Sequence, residues 1–228
     1  MALMGTTQAP LARSDEVVRV PRVLVIGDSI SLGEGAGQVG PDCPLTPETS
    51  RPGETYAAIV ARAAGGELAS LAISGRGLVR NYDDFPSLTM QQWLGENDFG
   101  RLPVADLAPD LILINLGTND FHDNDPEPAF SAAYGNLLQT LRSRNPESLV
   151  YRLFGPMLDG AEALRADSAV RSAIKAQAAK GDSRVHYVRL PTDPHDPEMI
   201  GCNWHPSLKA HEAMAQRLLV RILLDTLE

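Results

Sequence analysis

The chain has 228 residues, 43% hydrophobic and 21% charged, a balance that fits one globular domain with a sizeable core. A formal net charge of −9 argues against nucleic acid or an anionic membrane surface as partner, and no apolar run is long enough to insert into and span a bilayer. Residues 1–20 are polar, lack the apolar core of a secretory signal, and read as a tail or lead-in to a single domain over residues 21–228.

The compartment is cytoplasmic by default and extracellular if a signal has been removed, and nothing in the sequence marks an oligomeric state. The first element is a strand over residues 22–26, where Val23, Leu24, Val25 and Ile26 form the apolar run of a central parallel strand. It runs through Gly27-Asp28 into Ser29, at the strand end where open α/β sheets bind ligands. Ser29 fits a nucleophile and a helix N-cap equally well at this point. Residues 38–53 hold Pro41, Pro44, Pro47 and Pro52 and read as a long loop over the site. Residues 35–40 match the dinucleotide fingerprint by letter, but Pro41, Asp42, Cys43 and Pro44 stand where that motif needs a helix to open.

Pattern and punctuation then predict a helix over 55–64, a strand over 67–73, a short helix over 89–94 and a strand over 110–116. A helix over 127–144, a strand over 149–154, a helix over 161–179, a strand over 185–190 and a closing helix over 206–227 follow. This alternation implies a parallel sheet of about five strands with helices on both faces.

Polar or glycine sites fall at or near the strand ends, at Gly27-Asp28-Ser29, Ser74-Gly75, Gly117-Thr118-Asn119-Asp120 and Asn203-Trp204-His205-Pro206. In a parallel sheet these ends share one edge, so the sites can converge. Together they supply what acyl transfer needs: Ser29 as nucleophile, His205 as base, and the Gly75 N–H and Asn119 amide as donors to an oxyanion. Each residue alone has a plainer role: a turn glycine, an Asx-turn, a helix-entry histidine.

These blocks, Gly27-Asp28-Ser29-Ile30, Ile73-Ser74-Gly75, Gly117-Thr118-Asn119-Asp120 and His205-Pro206, resemble the four motifs of the SGNH (GDSL-type) hydrolase superfamily, in its order, over residues 22 to about 220. The resemblance implies a three-layer α/β/α sandwich of flavodoxin-like strand order. It also implies Ser29 as nucleophile, His205 as base, and the Ser29 N–H, Gly75 N–H and Asn119 side chain as the oxyanion hole. Ser74-Gly75-Arg76-Gly77, Leu116-Gly117-Thr118-Asn119-Asp120-Phe121 and Trp204-His205-Pro206-Ser207 are most similar to carbohydrate esterase family 2, which implies an acetyl esterase acting on sugar or other small-molecule esters, with no cofactor. Members commonly carry an N-terminal β-sandwich, for which residues 1–20 leave no room. Asp28 and Trp204 are candidate substrate contacts; Trp204 is read either as stacking on a sugar or acyl chain or as packing under the histidine loop.

The sequence departs from the superfamily at position 202, where the usual triad aspartate is Cys202 and Asn203 follows. A Ser29–His205 dyad is therefore expected, with a backbone carbonyl near Cys202 or Asn203 holding the ring; Asp193 and Asp196 are the substitute acids. Cys43 and Cys202 do not make a disulfide framework, but a bond between them would pin the loop to the histidine segment. No metal is expected: Asp120, His122, Asp123 and Asp125 read as an acidic solvated loop, and Cys202, His205 and His211 lack a fourth ligand at zinc spacing. The rival functions are a thioesterase or lysophospholipase of the same superfamily and a non-catalytic ligand-binding relative.

Overall fold

A computed structural model describes residues 20–84, 86–96, 107–191 and 196–226. The lead-in expected over residues 1–20 lies, apart from Val20, outside the described residues, as does Asp193. Five strands, β1 (Arg22–Gly27), β2 (Glu67–Ala72), β3 (Leu111–Asn115), β4 (Leu149–Phe154) and β5 (Val185–Arg189), form one parallel sheet in the order β2-β1-β3-β4-β5. The order reverses at β1, which pairs with β2 on one side and β3 on the other, with Val25 opposite both Ser70 and Leu113. Such a reversal leaves a crevice beyond the carboxyl ends of β1 and β3, because their crossover helices leave to opposite faces. Ser29 follows β1 and Asn119 follows β3, so topology alone delivers both to that crevice.

The period of two along each strand explains why β1 is apolar throughout. Val23 and Val25 face one layer, with Tyr56 and Val60 of α2 (Tyr56–Ala63) and Met214 and Leu218 of α7 (Leu208–Thr226). Leu24 and Ile26 face the other, with Phe130, Tyr134 and Leu138 of α5 (Ala129–Arg144) and Ala166 and Val170 of α6 (Gly160–Ala178). Each fully buried Val, Leu or Ile in these two cores contributes about 1.5–3 kcal/mol. The result is the α/β/α sandwich the sequence predicts, and no helix of the described residues is long and apolar enough to cross a membrane.

Helix boundaries move where side chains cap. Thr55 accepts from the Ala58 N–H at 3.2 Å, so α2 starts at Tyr56. The closing helix starts at Leu208 because Pro206 pairs with Ile200 in an isolated bridge and the Ser207 hydroxyl accepts from the Ala210 N–H. The short helix predicted from residue 89 is α3 (Met90–Glu96). Two single-turn helices at strand ends were not legible from pattern, α1 (Ser29–Leu32) and α4 (Thr118–Phe121). On β4, Arg152 is fully buried, its guanidinium 3.6 Å from the Tyr134 ring centroid, and burial lowers its pKa to about 10.

The acidic solvated loop needs one correction. Asp123 and Asp125 are exposed, but Asp120 is fully buried on α4. Its carboxylate accepts from the N–H groups of Leu78 (2.8 Å), Val79 (2.7 Å) and Arg80 (3.0 Å), closing the loop that begins at Gly75. Burial raises its pKa against the pull of those donors. Asp120→Ala leaves all three amides without their acceptor, and a loss of about 3 kcal/mol or more is expected in urea unfolding; a change below about 1 kcal/mol contradicts this account.

Candidate active site

α1 opens with Asp28 as its N-cap, the side chain accepting from the Ile30 N–H at 3.0 Å. The two roles open to Ser29 are thereby divided: Asp28 caps, and Ser29, as the first helical residue, turns its hydroxyl to the sheet edge. There Ser29 Oγ lies 2.9 Å from Nε2 of His205, and Nδ1 of the same ring lies 3.0 Å from the Asn203 carbonyl. With the proton on Nδ1 donating to that carbonyl, Nε2 is left to accept from Ser29. Ser29 and His205 are 7% and 5% exposed, so little water competes for either bond. Burial lowers the His205 pKa, opposed by the Asn203 carbonyl and by the nearby Glu34 carboxylate. The ring is therefore neutral, and able to accept a proton, to a lower pH than a free histidine.

The carbonyl that meets the ring is that of Asn203, one of the two positions expected. Asn203 (φ 48°) and Trp204 (φ 64°) both sit in the left-handed region, which asparagine tolerates and tryptophan does not favour. This turn carries the carbonyl back to the ring two residues on. Asp196 does not take the vacant acid's place: its carboxylate is engaged by Lys209 at 3.0 Å and by the Glu198 N–H at 3.0 Å.

Gly75 (φ 68°) has open space where a Cβ would sit, the nearest atom being the Tyr82 Cβ at 4.0 Å. Its loop is tied to the Ser29 segment by a pair the sequence gave no sign of: Ser74 Oγ donates to Glu34 Oε2 at 2.7 Å, and the Glu34 N–H donates to the Ser29 carbonyl. Asn119 is 6% exposed, and its amide donates to Arg76 O at 2.9 Å and to Asp28 Oδ2 at 3.2 Å. Asp28, expected as a substrate contact, is instead 1% exposed with both oxygens taken by protein donors, so it sits beneath the site. Burial pushes its pKa up to about 7, with Asp120 adding a like-charge push.

Trp204, the residue before His205, is 65% exposed, which excludes packing under the histidine loop. Next to it opens a cleft of about 450 Å³ lined by Met157, Leu158, Arg189, Met199, Ile200 and other residues. Tyr82, 46% exposed, stacks on His122 at 5.0 Å and donates its N–H to the Gly75 carbonyl. Cys43 and Cys202 are joined in a disulfide. Among the described residues no group of three His, Cys, Asp or Glu is placed to hold a metal ion.

The fold and the strand-end set define the SGNH hydrolase architecture. A family model described as GDSL-like Lipase/Acylhydrolase matches residues 25–213, and the chain belongs to that family. Among curated relatives, the cellulase/esterase CelE of Acetivibrio thermocellus is 31% identical over 205 residues, covering 88% of this chain and 25% of CelE. An acetylxylan esterase / glucomannan deacetylase of Cellvibrio japonicus is 28% identical over 232 residues, covering 96% of this chain and 60% of that protein. The chain thus spans between a quarter and three fifths of the length of these two relatives. A family two carbohydrate esterase from Clostridium thermocellum, solved in complex with cellohexaose, superposes with a TM-score of 0.82 at 30% identity, covering 90% of this chain and 64% of that one.

Proposed function

We propose that this chain is a serine esterase that removes short acyl groups, acetyl above all, from sugar esters, with residues 21–228 as its single catalytic domain. The observation that carries the reading is Ser29 Oγ at 2.9 Å from the imidazole nitrogen of His205, whose other nitrogen meets a carbonyl. Relatives named as acetylxylan esterases, and a structural neighbour bound to cellohexaose, support a carbohydrate as the alcohol part of the ester.

His205 Nε2 takes the Ser29 proton as Oγ attacks the acyl carbon. The tetrahedral oxyanion is met by the N–H groups of Ser29 and Gly75 and the Asn119 amide. The imidazolium then gives its proton to the departing sugar oxygen, and water repeats the cycle on the acyl-serine. The Asn203 carbonyl holds Nδ1–H throughout, orienting the ring without adding negative charge. Trp204, next to His205 in sequence, and Tyr82, joined to the Gly75 carbonyl through its N–H, are the exposed aromatic side chains this reading assigns to a sugar ring, and the cleft beside Trp204 gives the rest of the alcohol room.

The test is a substrate panel run with fluorophosphonate labelling. Acetylated xylan oligosaccharides and 4-nitrophenyl acetate are expected to be turned over fastest, with the label on Ser29. The acid limb of kcat/KM is expected below pH 6.5, because burial lowers the imidazole pKa. A rate maximum at C8 esters or longer points to a lysophospholipase or thioesterase instead, and absence of both turnover and label points to a binding module.

A further inference from the structure

We propose that the Cys43–Cys202 bond is a positioning element for catalysis, holding the Asn203 carbonyl and with it the His205 ring in register with Ser29. The inference rests on the esterase reading and adds to it what takes over the orienting task of the absent carboxylate.

Three observations carry it. First, the bond joins the two chain segments that supply the reactive pair. Cys43 lies on the stretch that follows Ser29, and Cys202 begins the turn that ends in His205, 159 residues away in sequence. Second, the same segments are laced together by backbone bonds on either side of the bond. Gly40 N–H donates to Ile200 O (2.8 Å), Cys202 N–H to Gly35 O (2.9 Å), Asn203 N–H to Pro41 O (2.9 Å) and Leu208 N–H to Ala36 O (3.2 Å). Contact there is close: a Cβ on Gly35 would stand 2.5 Å from the Cys202 carbonyl and 3.1 Å from the His205 Cβ. A displacement of the 33–44 stretch therefore reaches the histidine with little play.

Third, the turn it fixes is one the chain does not favour. Asn203 and Trp204 are consecutive left-handed residues, and such backbone persists only where its surroundings over-determine it. Between α1 and the short turn at Pro47–Thr49 the loop has no helix or strand of its own. Its place is therefore held by the cross-segment hydrogen bonds and by the disulfide rather than by a ladder or helix of its own. A carboxylate partner can follow a histidine by its charge, whereas a carbonyl orients the ring only if the backbone bearing it stays in place. The covalent tie supplies that constancy.

The test compares wild type with Cys43→Ala/Cys202→Ala on 4-nitrophenyl acetate at 10 °C, with the unfolding midpoint recorded separately. A fall in kcat of about ten- to a hundred-fold is expected, as for an angstrom-scale misplacement of a reacting group. KM for this substrate is expected to stay within about twofold, because 4-nitrophenyl acetate carries no sugar to rest on Trp204, which shares the Cys202 turn. The acid limb of kcat/KM should move to lower pH, since a ring that loses its acceptor at Nδ1–H holds its proton less well. Wild type treated with a phosphine gives the same reading without substitution. There the disulfide takes two electrons to become two thiols, and the phosphine becomes its oxide with oxygen from water.

Unchanged kcat and an unmoved acid limb, with two thiols titrated, overturn the proposal even if the unfolding midpoint drops. A reduced protein that has lost its near-ultraviolet circular dichroism at 10 °C overturns it too, by making the bond a staple of the whole fold. Untreated wild type that neither hydrolyses esters nor takes the fluorophosphonate sinks the esterase reading first, an outcome distinct from both.

Discussion

Ser29→Ala is expected to lower kcat for acetyl ester hydrolysis by about 10⁴-fold or more, and His205→Ala by a similar factor. The double variant is expected to be no worse than the poorer single. In the proposed mechanism the two side chains, 2.9 Å apart, perform one act, transfer of the Oγ proton to Nε2 as the bond to carbon forms. Without the hydroxyl the imidazole has nothing to deprotonate. Without the imidazole the hydroxyl keeps a pKa far above the working pH. What survives is catalysis by bound water facing the oxyanion donors, which either variant retains.

Stability should change little by comparison. Ser29→Ala gives up one hydrogen bond in a nearly buried place, worth about 1 kcal/mol. Kinetics on acetylated xylan oligosaccharides, with circular dichroism to confirm the fold, check both statements. Full hydrolysis by Ser29→Ala removes the nucleophile assignment, and multiplicative losses in the double variant mean the two residues act in separate steps.

Much of this site could be read from the sequence because each part obeys a local rule. Val23 to Ile26 are apolar because β1 is covered on both faces, and a central parallel strand must end at the sheet's ligand edge. The glycine and polar residues after β1, β2 and β3 then have nowhere to go but together. Residues whose environment is set by distant chain were opaque. Asp120 sits within an acidic stretch and has the composition of a solvated loop, yet it is buried because the amides of residues 78–80 close around it. Glu34 reaches Ser74 forty residues on, with no period linking them. The departure at Cys202 was visible, and so was a backbone carbonyl as its remedy. The left-handed pair that delivers that carbonyl was not, since tryptophan is a poor guess for such a conformation. Asp28 misled for a related reason: a carboxylate beside a nucleophile suggests substrate, and only its burial shows that its partners are Ile30 and Asn119.

That last pairing sets the second large effect. Asn119→Ala is expected to cost about 10²–10³-fold in kcat with little change in KM, the usual loss for one oxyanion donor. In the free site the Asn119 amide donates to Arg76 O at 2.9 Å and to Asp28 Oδ2 at 3.2 Å. The longer bond is the one to be shared with, or yielded to, the oxyanion as charge develops. In the proposed mechanism Asp28 thus keeps the amide aimed until the transition state draws on it. Asp28→Asn keeps one carbonyl oxygen for the Ile30 N–H and sets an NH2 donor where Oδ2 accepted from Asn119, so it should turn Asn119 aside and lower kcat about tenfold or more, and the loss should largely vanish in the Asn119→Ala background.

The same substitution has a pH signature with a fixed sign. Burial pushes the Asp28 pKa from 3.8 up to about 7, so between those values the folded state holds a proton that the unfolded state has released. Wild-type stability therefore carries a term that is fully present below pH 4 and lost as pH rises through 7. Asp28→Asn lacks the term. Its stability relative to wild type should improve from pH 4.5 to pH 8 by something on the order of 3 kcal/mol, read from urea unfolding at the two pH values. A difference that stays flat means the carboxylate ionises with ease where it lies. Asn119 would then be facing a permanently charged acceptor, and the amide's release to the substrate would need another explanation.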